Sequence, residues 1–338
     1  MDLALLLAIG LAFAFALTNG FHDASNAIAT LVATRGATPG QAVLLSATFN
    51  MLGAVLLGTA VADTIGKIVQ VPANETVMVV GAGLAGATTW NLITWWRGLP
   101  SSSGHALVGG LVGAALVEGG VDAVNWGGMD GLHPVGVWGT LIALLVSPPI
   151  GFAGGWLLVI ILRRASRRWS NRWRGPVVSG EWAAAAGLSY SHGANDAQKA
   201  MGVIAALLLG AGYTDSLEVP LWVKITTGLT LTLGTAAGGW RIVKTVGRRI
   251  YDIKPLDSLA SQSSSTGVIF TASILGAPVS TTQIVASSVI GCGGGRRRWR
   301  HVRWQVVKEM GIAWITTIPA AGLLAVLYLY LAKGVAAL

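Results

Sequence analysis

Charge is scarce in this 338-residue chain: Asp, Glu, Lys and Arg together make up 11%, less than half of the roughly one quarter that covers a water-facing globular surface. That deficit excludes an ordinary soluble domain. Cysteine is nearly absent as well. Cys292 stands alone, which excludes an intramolecular disulfide framework and any Cys-cluster metal site; it reads as a small buried hydrophobe. Residues 1–18 lack a basic n-region and a small-residue cleavage site, so they read as the first half of a membrane helix and not as a signal peptide. What fills the chain is apolar. Hydrophobic residues reach 53%, mean hydropathy is +0.64, and runs of the roughly 20 residues a spanning helix needs recur from end to end. The 46 glycines suit such a chain, because small residues let membrane helices approach closely and break without strain. The expected class is an all-α polytopic membrane protein.

The net charge of +9 is not a nucleic-acid signal. The basic residues fall in three blocks: Arg163, Arg164, Arg167, Arg168, Arg172 and Arg174; then Arg241, Lys244, Arg248, Arg249 and Lys254; then Arg296, Arg297, Arg298, Arg300 and Arg303. Each block lies between apolar runs, the pattern of short cytoplasmic loops, with anionic-lipid binding as a further reading. Acids such as Asp63, Glu75, Glu118, Asp122, Asp215 and Glu218 fall on the opposite loops. Residues 1–34 then cross inward and 41–62 cross back. Residues 75–118 form a hairpin turning near Arg97 to Ser103, and 134–162 cross inward again. In the second half 181–209 and 221–243 cross, 258–292 form a second hairpin, and 304–332 cross last. The domain plan is a first repeat with its connecting helix (1–162), a short basic cytoplasmic loop (163–180) and a second repeat with a final helix (181–338). The fold expected is two inverted-topology repeats, each with a broken helix and a re-entrant helical hairpin. It would sit in the inner (plasma) membrane with both termini outside, as a monomer or a homodimer.

The repeat also shows in residues. Asn19-Gly20-Phe21-His22-Asp23-Ala24-Ser25-Asn26 matches Ser191-His192-Gly193-Ala194-Asn195-Asp196-Ala197-Gln198-Lys199 when Asp23 is set on Asp196. This pairs His22 with Asn195 and Asn26 with Lys199. At the hairpin tips, Pro100-Ser101-Ser102-Ser103-Gly104-His105 matches Pro278-Val279-Ser280-Thr281-Thr282-Gln283. Two different motifs recur in the same order.

An ionised aspartate at membrane depth costs several kcal/mol unless it faces a cavity or a partner. The glycines beside Asp23 and Asp196 predict that each helix unwinds there, exposing backbone that lines a site. At the tips, proline opens a helix whose hydroxyls and free N–H groups make an anion seat. Two such ends would cage a compact tetrahedral anion. Carboxylates beside it select phosphate over sulfate, because phosphate keeps a P–OH donor near neutral pH and sulfate keeps none. Lys199 either neutralises Asp196 or replaces a cation. His105 and His192 are packed polar residues or proton carriers. Isolated hydroxyls such as Ser46 and Ser273 read as bonds to their own helix, and the fourteen tryptophans as interface anchors.

At these motifs the chain resembles the inorganic phosphate transporter (Pit) family, in its bacterial low-affinity branch. The stretches NGFHDASNAIAT (19–30), GLPSSSGH (98–105), SHGANDAQK (191–199) and APVSTT (277–282) carry the resemblance. It implies a symporter and not an enzyme, with no cofactor, no resident metal and no catalytic residue. The phosphate site it implies is Asp23, Asn26, Ser102, Ser103, Asn195, Asp196, Ser280, Thr281 and Thr282. Coupling to H⁺ or Na⁺ would pass through His22, Asp23, Asp196, Lys199 and His105. The bacterial branch further implies a divalent metal carried with phosphate. Two departures from the sodium-coupled pattern, His22 before Asp23 and Lys199 in place of Asn, tilt the reading to protons. The rivals are sodium coupling, a sulfate permease on the same scaffold, and an intramembrane serine hydrolase using Ser103. The hydrolase fails on the second half, where Thr281 and Thr282 recur but Gln283 replaces the base.

Overall fold

The computed structural model describes residues 2–170, 173–296 and 299–336. Arg172, Arg297 and Arg298 of the basic blocks lie outside them. The chain is helical almost throughout. α1 (Leu3–Ala33), α2 (Pro39–Leu56), the short α3 (Ala60–Gly66), α4 (Ala73–Arg97) and α5 (Ser103–Gly119) come first. A small antiparallel pair, β1 (Gly128–Asp130) and β2 (His133–Val135), leads into α6 (Gly136–Ala165). Then follow α7 (Arg174–Gly210), α8 (Leu221–Ala237), the short α9 (Trp240–Lys244), α10 (Pro255–Ile274), α11 (Thr281–Gly295) and α12 (Trp304–Ala336). The all-α expectation is amended only by the two three-residue strands.

α1, α2, α4, α6 and α12 are long and apolar enough to cross a membrane. α7 is longer, at 37 residues, yet its middle is polar. That is tolerable because residues 191–205 are buried against other helices and not against lipid.

The expected break is in a different place. α1 passes through residues 19–26, and α7 through 191–199, as unbroken helix. The glycines of these motifs serve close packing. A Cβ on Gly20 would overlap Leu231 O of α8, and one on Gly193 would overlap Asn50 O of α2. Gly234 and Gly53 answer from the other side, where a Cβ would overlap Leu17 O and Tyr190 O. With the polar side chains partnered laterally, the backbone has no reason to unwind. The interruptions fall one helix later, at Leu57–Thr59 between α2 and α3, and at Gly238–Gly239 between α8 and α9.

α4 and α5 are joined by residues 98–102, and α10 and α11 by residues 275–280. The first arms of these pairs are 25 and 20 residues, about 37 and 30 Å at about 1.5 Å per residue. The second arms are 17 and 15 residues. Each tip is covered by the segment that follows an interruption. Thr245 Oγ1, just after α9, donates to Gly98 O at 3.2 Å, and Thr64 Oγ1 of α3 donates to Gly276 O at 2.8 Å.

The apolar interior is divided in two. One core takes Leu5–Ala16 positions of α1, Val137 of α6, Ala197–Leu208 positions of α7 and Ala321–Leu329 positions of α12. The other takes Ala27–Leu31 positions of α1, Val159 of α6, Ala185 and Leu188 of α7, and Val306 and Met310 of α12. α1 and α6 run from the first core to the second; α7 and α12 run the opposite way. Between the cores lies a buried polar band.

Because α2 and α7 touch backbone to backbone at Gly53, Gly53→Ala is expected to cost about 1–3 kcal/mol through overpacking, read as a lowered melting temperature in detergent. Gly10→Ala on α1, where a Cβ would meet nothing within 4 Å, is expected to leave melting unchanged or slightly raised.

Candidate functional site

The polar band is centred on Asp23 of α1 and Asp196 of α7, each 1% exposed. An ionised carboxylate so placed must find donors in the protein, and the hairpin tips supply them. Ser103 Oγ donates to Asp23 Oδ2 at 2.9 Å, and its repeat counterpart Thr281 Oγ1 donates to Asp196 Oδ2 at 3.1 Å. Thr282 Oγ1 crosses between the halves to donate to Asp23 Oδ1 at 2.7 Å, and itself accepts from Asn26 Nδ2 at 3.0 Å. Lys199 Nζ pairs with Asp196 Oδ1 and donates to Val279 O at 2.9 Å.

Beside the carboxylates the two halves differ at two matched pairs. Thr282 corresponds to Gly104, and Asn26 to Lys199. A Cβ on Gly104 would already lie 3.4 Å from Lys199 Nζ, so a threonine there would stand where the ammonium does. In one half, then, a hydroxyl and an amide fill the space beside the carboxylate; in the other a glycine clears it for a lysine.

Both aspartates also face a histidine. Thr94 Oγ1 donates to Trp90 O, and Ser101 Oγ donates to Thr94 Oγ1 at 2.9 Å. His22 Nε2, 3.2 Å from both hydroxyls, is left as the donor. His22 Nδ1 lies 3.1 Å from Asp23 Oδ1. On α7, Asn50 Nδ2 donates to Thr235 Oγ1 at 2.9 Å, which turns Asn50 Oδ1 toward His192 Nδ1 at 3.0 Å. His192 Nδ1 must carry the hydrogen. His192 Nε2 then faces Asp196 Oδ2 at 2.9 Å, off the line of a hydrogen bond. When the imidazole of either pair is neutral it presents a lone pair to the carboxylate, and two acceptors face one another. Each interface has room for one proton. With both imidazoles neutral the five ionisable groups sum to one negative charge, and with both protonated to one positive charge.

Donor atoms of Asp23, His192 and Asp196 lie within 4.8 Å of one another. No metal ligand was expected from the sequence, and this is the one group of three such residues among those described. It could receive a cation. His192, read from the sequence as a packed polar residue or a proton carrier, stands at i, i+4 from Asp196, a spacing that places the two on one face of a helix.

The remaining expected residues divide. Ser102 and Ser280 turn their hydroxyls to N-caps, accepting from His105 N and Gln283 N at 3.3 Å each. Asn195 Nδ2 holds the second tip through Ser273 Oγ and Ala277 O at 3.1 and 3.0 Å. His105 is buried but makes no side-chain hydrogen bond to either aspartate. Gln198, not anticipated, accepts from Val61 N and Ala62 N at 2.8 and 3.3 Å and so caps α3.

A family model described as "Phosphate transporter family" matches residues 19–181 and 172–325. The chain belongs to that family. It is 41% identical over 337 residues to a Rhizobium meliloti protein named "Probable low-affinity inorganic phosphate transporter", covering 98% of this chain and 96% of the relative. A Bacillus subtilis protein of the same name is 39% identical, with 96% of each chain covered. A solved structure titled "The sodium-dependent phosphate transporter" superposes with a TM-score of 0.86 at 23% identity, covering 98% of this chain and 99% of that one. At that identity the likeness shows a shared fold. The phosphate transporter family consists of membrane transporters and not enzymes.

Removing one partner of a buried pair leaves the other uncompensated. Lys199→Met is therefore expected to cost about 3–5 kcal/mol, and Asp196→Asn combined with it to recover much of that. Detergent melting curves of the two single variants and the double variant measure the coupling.

Proposed function

We propose that the chain is a secondary transporter that carries inorganic phosphate across the inner membrane together with protons. The observation that carries this reading is the pair of His–Asp interfaces. Two protons taken up there change the sign of the buried site from negative to positive, and an anion entering a low-dielectric site needs that change. Phosphate would replace the hydroxyl donors on the carboxylates, offering its P–OH to Asp23 or Asp196 and accepting from Ser103, Thr281, Thr282, Asn26 and Lys199. Sulfate has no such proton to offer. The near-identical names of the two relatives support the same substrate.

The reading extends to the scaffold. Two inverted repeats, 1–162 and 181–338 around a short basic loop, would account for the matched Gly20–Gly234 and Gly193–Gly53 contacts. They would also account for the opposite runs of α1 against α7, and of α6 against α12, between the two cores. Arg35, Arg174, Lys254 and Arg296 line one cavity, which supports a common cytoplasmic side for the basic blocks; both termini would then lie opposite.

A sodium-coupled reading is favoured by one observation, the close approach of the Asp23, His192 and Asp196 donors, which would equally take Na⁺ or a divalent ion travelling with phosphate. In the proton reading Lys199 stands where such an ion would bind.

Uptake of ³²P-phosphate into proteoliposomes separates these. A pH gradient alone is expected to drive it, with a sodium gradient and excess sulfate both without effect; strict sodium dependence would sink proton coupling while leaving phosphate transport intact. Asp23→Asn and Asp196→Asn are each expected to abolish uptake with the protein still in the membrane. Lys199→Asn with Gly104→Thr, which rebuilds the first half's chemistry in the second, is expected to introduce sodium dependence.

A further inference from the structure

A cavity of about 720 Å³ shares no residue with the carboxylate site. It lies where the end of α1, the starts of α7 and α10 and the end of α11 meet the linker after α6. Four cations line it: Arg35, Arg174, Lys254 and Arg296. Arg296 is neutralised by Asp257, and Lys254 by Asp252. Glu181, buried close by, accepts from Thr34 Oγ1 at 2.7 Å. Arg35 and Arg174 have no carboxylate within salt-bridge distance among the described residues. The cavity therefore contains two uncompensated guanidinium groups.

Arg35 is held there at a conformational cost. α1 ends in a Schellman motif, with Gly36 N donating to Leu31 O at 3.0 Å and Arg35 N donating to Val32 O at 3.2 Å. Glycine is usual at the left-handed position of this motif. Arg35 occupies it with φ +59°, the one non-glycine residue of positive φ among those described. That conformation is unfavourable for an L side chain, whose Cβ approaches the following carbonyl oxygen. Orientation in the membrane does not require it, since an arginine at a neighbouring exposed position counts equally. Strain retained at one residue points to a use for its side chain.

The surroundings indicate what is bound. Trp169 and Trp173 line the cavity and stack at 4.7 Å and 13°, as aromatic residues do at headgroup level. The approach along α6 is apolar: Trp156, Leu157 and Ile161 are 42%, 53% and 48% exposed. Guanidinium groups match phosphate oxygens in bidentate geometry. We infer that this cavity binds the phosphate group of an anionic membrane lipid, with the acyl chains lying along the exposed face of α6. The headgroup joins the end of α1 to the starts of α7 and α10, and so links helices that carry both aspartates and one hairpin.

A free phosphate ion presents the same oxygens, so the test distinguishes the two sources. Native mass spectrometry of the purified chain in mixed micelles is expected to show retained phosphatidylglycerol but not phosphatidylcholine. The Arg35→Gln, Arg174→Gln double variant is expected to weaken that retention about tenfold or more. Arg35→Gly guards against misfolding as the cause, because relief of the left-handed strain should raise the melting temperature while lipid retention falls. In a second arm, inorganic phosphate is added to the Asp23→Asn protein, so that the carboxylate site does not contribute. Arginine-dependent stabilisation by free phosphate without any lipid preference would uphold a phosphate-group site and move its source to solution. Equal retention of both lipids without phosphate stabilisation, or retention unchanged in the double variant, overturns the inference.

Discussion

Two carboxylates buried inside a chain with almost no water-facing interior set the terms for everything around them. Each is too costly to hold without donors, and a membrane supplies none. The protein provides them: hydroxyls at the starts of α5 and α11, and an ammonium from α7. The tips must therefore reach the middle of the molecule. They are held there by short segments laid over them and by helices in backbone contact at glycine. The division of the apolar interior into two cores follows from the same demand, since the polar band between them must interrupt any single core.

The site is two-fold in plan and unequal in chemistry. One aspartate accepts from two hydroxyls, the other from one hydroxyl and a fixed cation, and each faces a histidine. Asn26 and Thr282 beside one carboxylate are matched by Lys199 and Gly104 beside the other, so an amide and a hydroxyl stand where the other half has an ammonium and no side chain. In the proposed proton reading the variable is the proton between each imidazole and its carboxylate, the other ring nitrogens being held by Thr94, Ser101 and Asn50. A charge change of two units at one buried point is a direct way to tie an anion's entry to protons.

Much of this was legible in the residues. Membrane class follows from hydropathy and the scarcity of charge. The matched motifs located Asp23, Asp196, Ser103, Thr281 and Thr282 before any contact was known, because ionisable and hydroxyl groups in apolar helices stand out against their background. Backbone detail was not legible. Gly20 and Gly193 carry the same letter whether a helix unwinds or is approached by a neighbour, and only the positions of Leu231 and Asn50 decide between the two. Ser102 and Ser103 are adjacent and identical in type, yet one caps a helix and the other binds a carboxylate, a difference set by their direction at the start of α5. His105 and His192 read alike as packed residues or proton carriers, and only the contact of His192 Nε2 with Asp196 Oδ2 sets the two apart.

The hydrogen bond from Thr282 to Asp23 spans 259 positions of sequence, and this has a bearing on biogenesis. During synthesis α1 enters the bilayer long before α11 exists, so Asp23 is at first without its closest donor. An ionised aspartate at mid-helix costs insertion about 2.5–3.5 kcal/mol, which the strongly apolar first half of α1 offsets. The first core also stays incomplete until the end of α7 and α12 arrive. The two halves therefore cannot mature one after the other as independent units; the molecule reaches its final form only when the last quarter of the chain closes the site opened by the first helix.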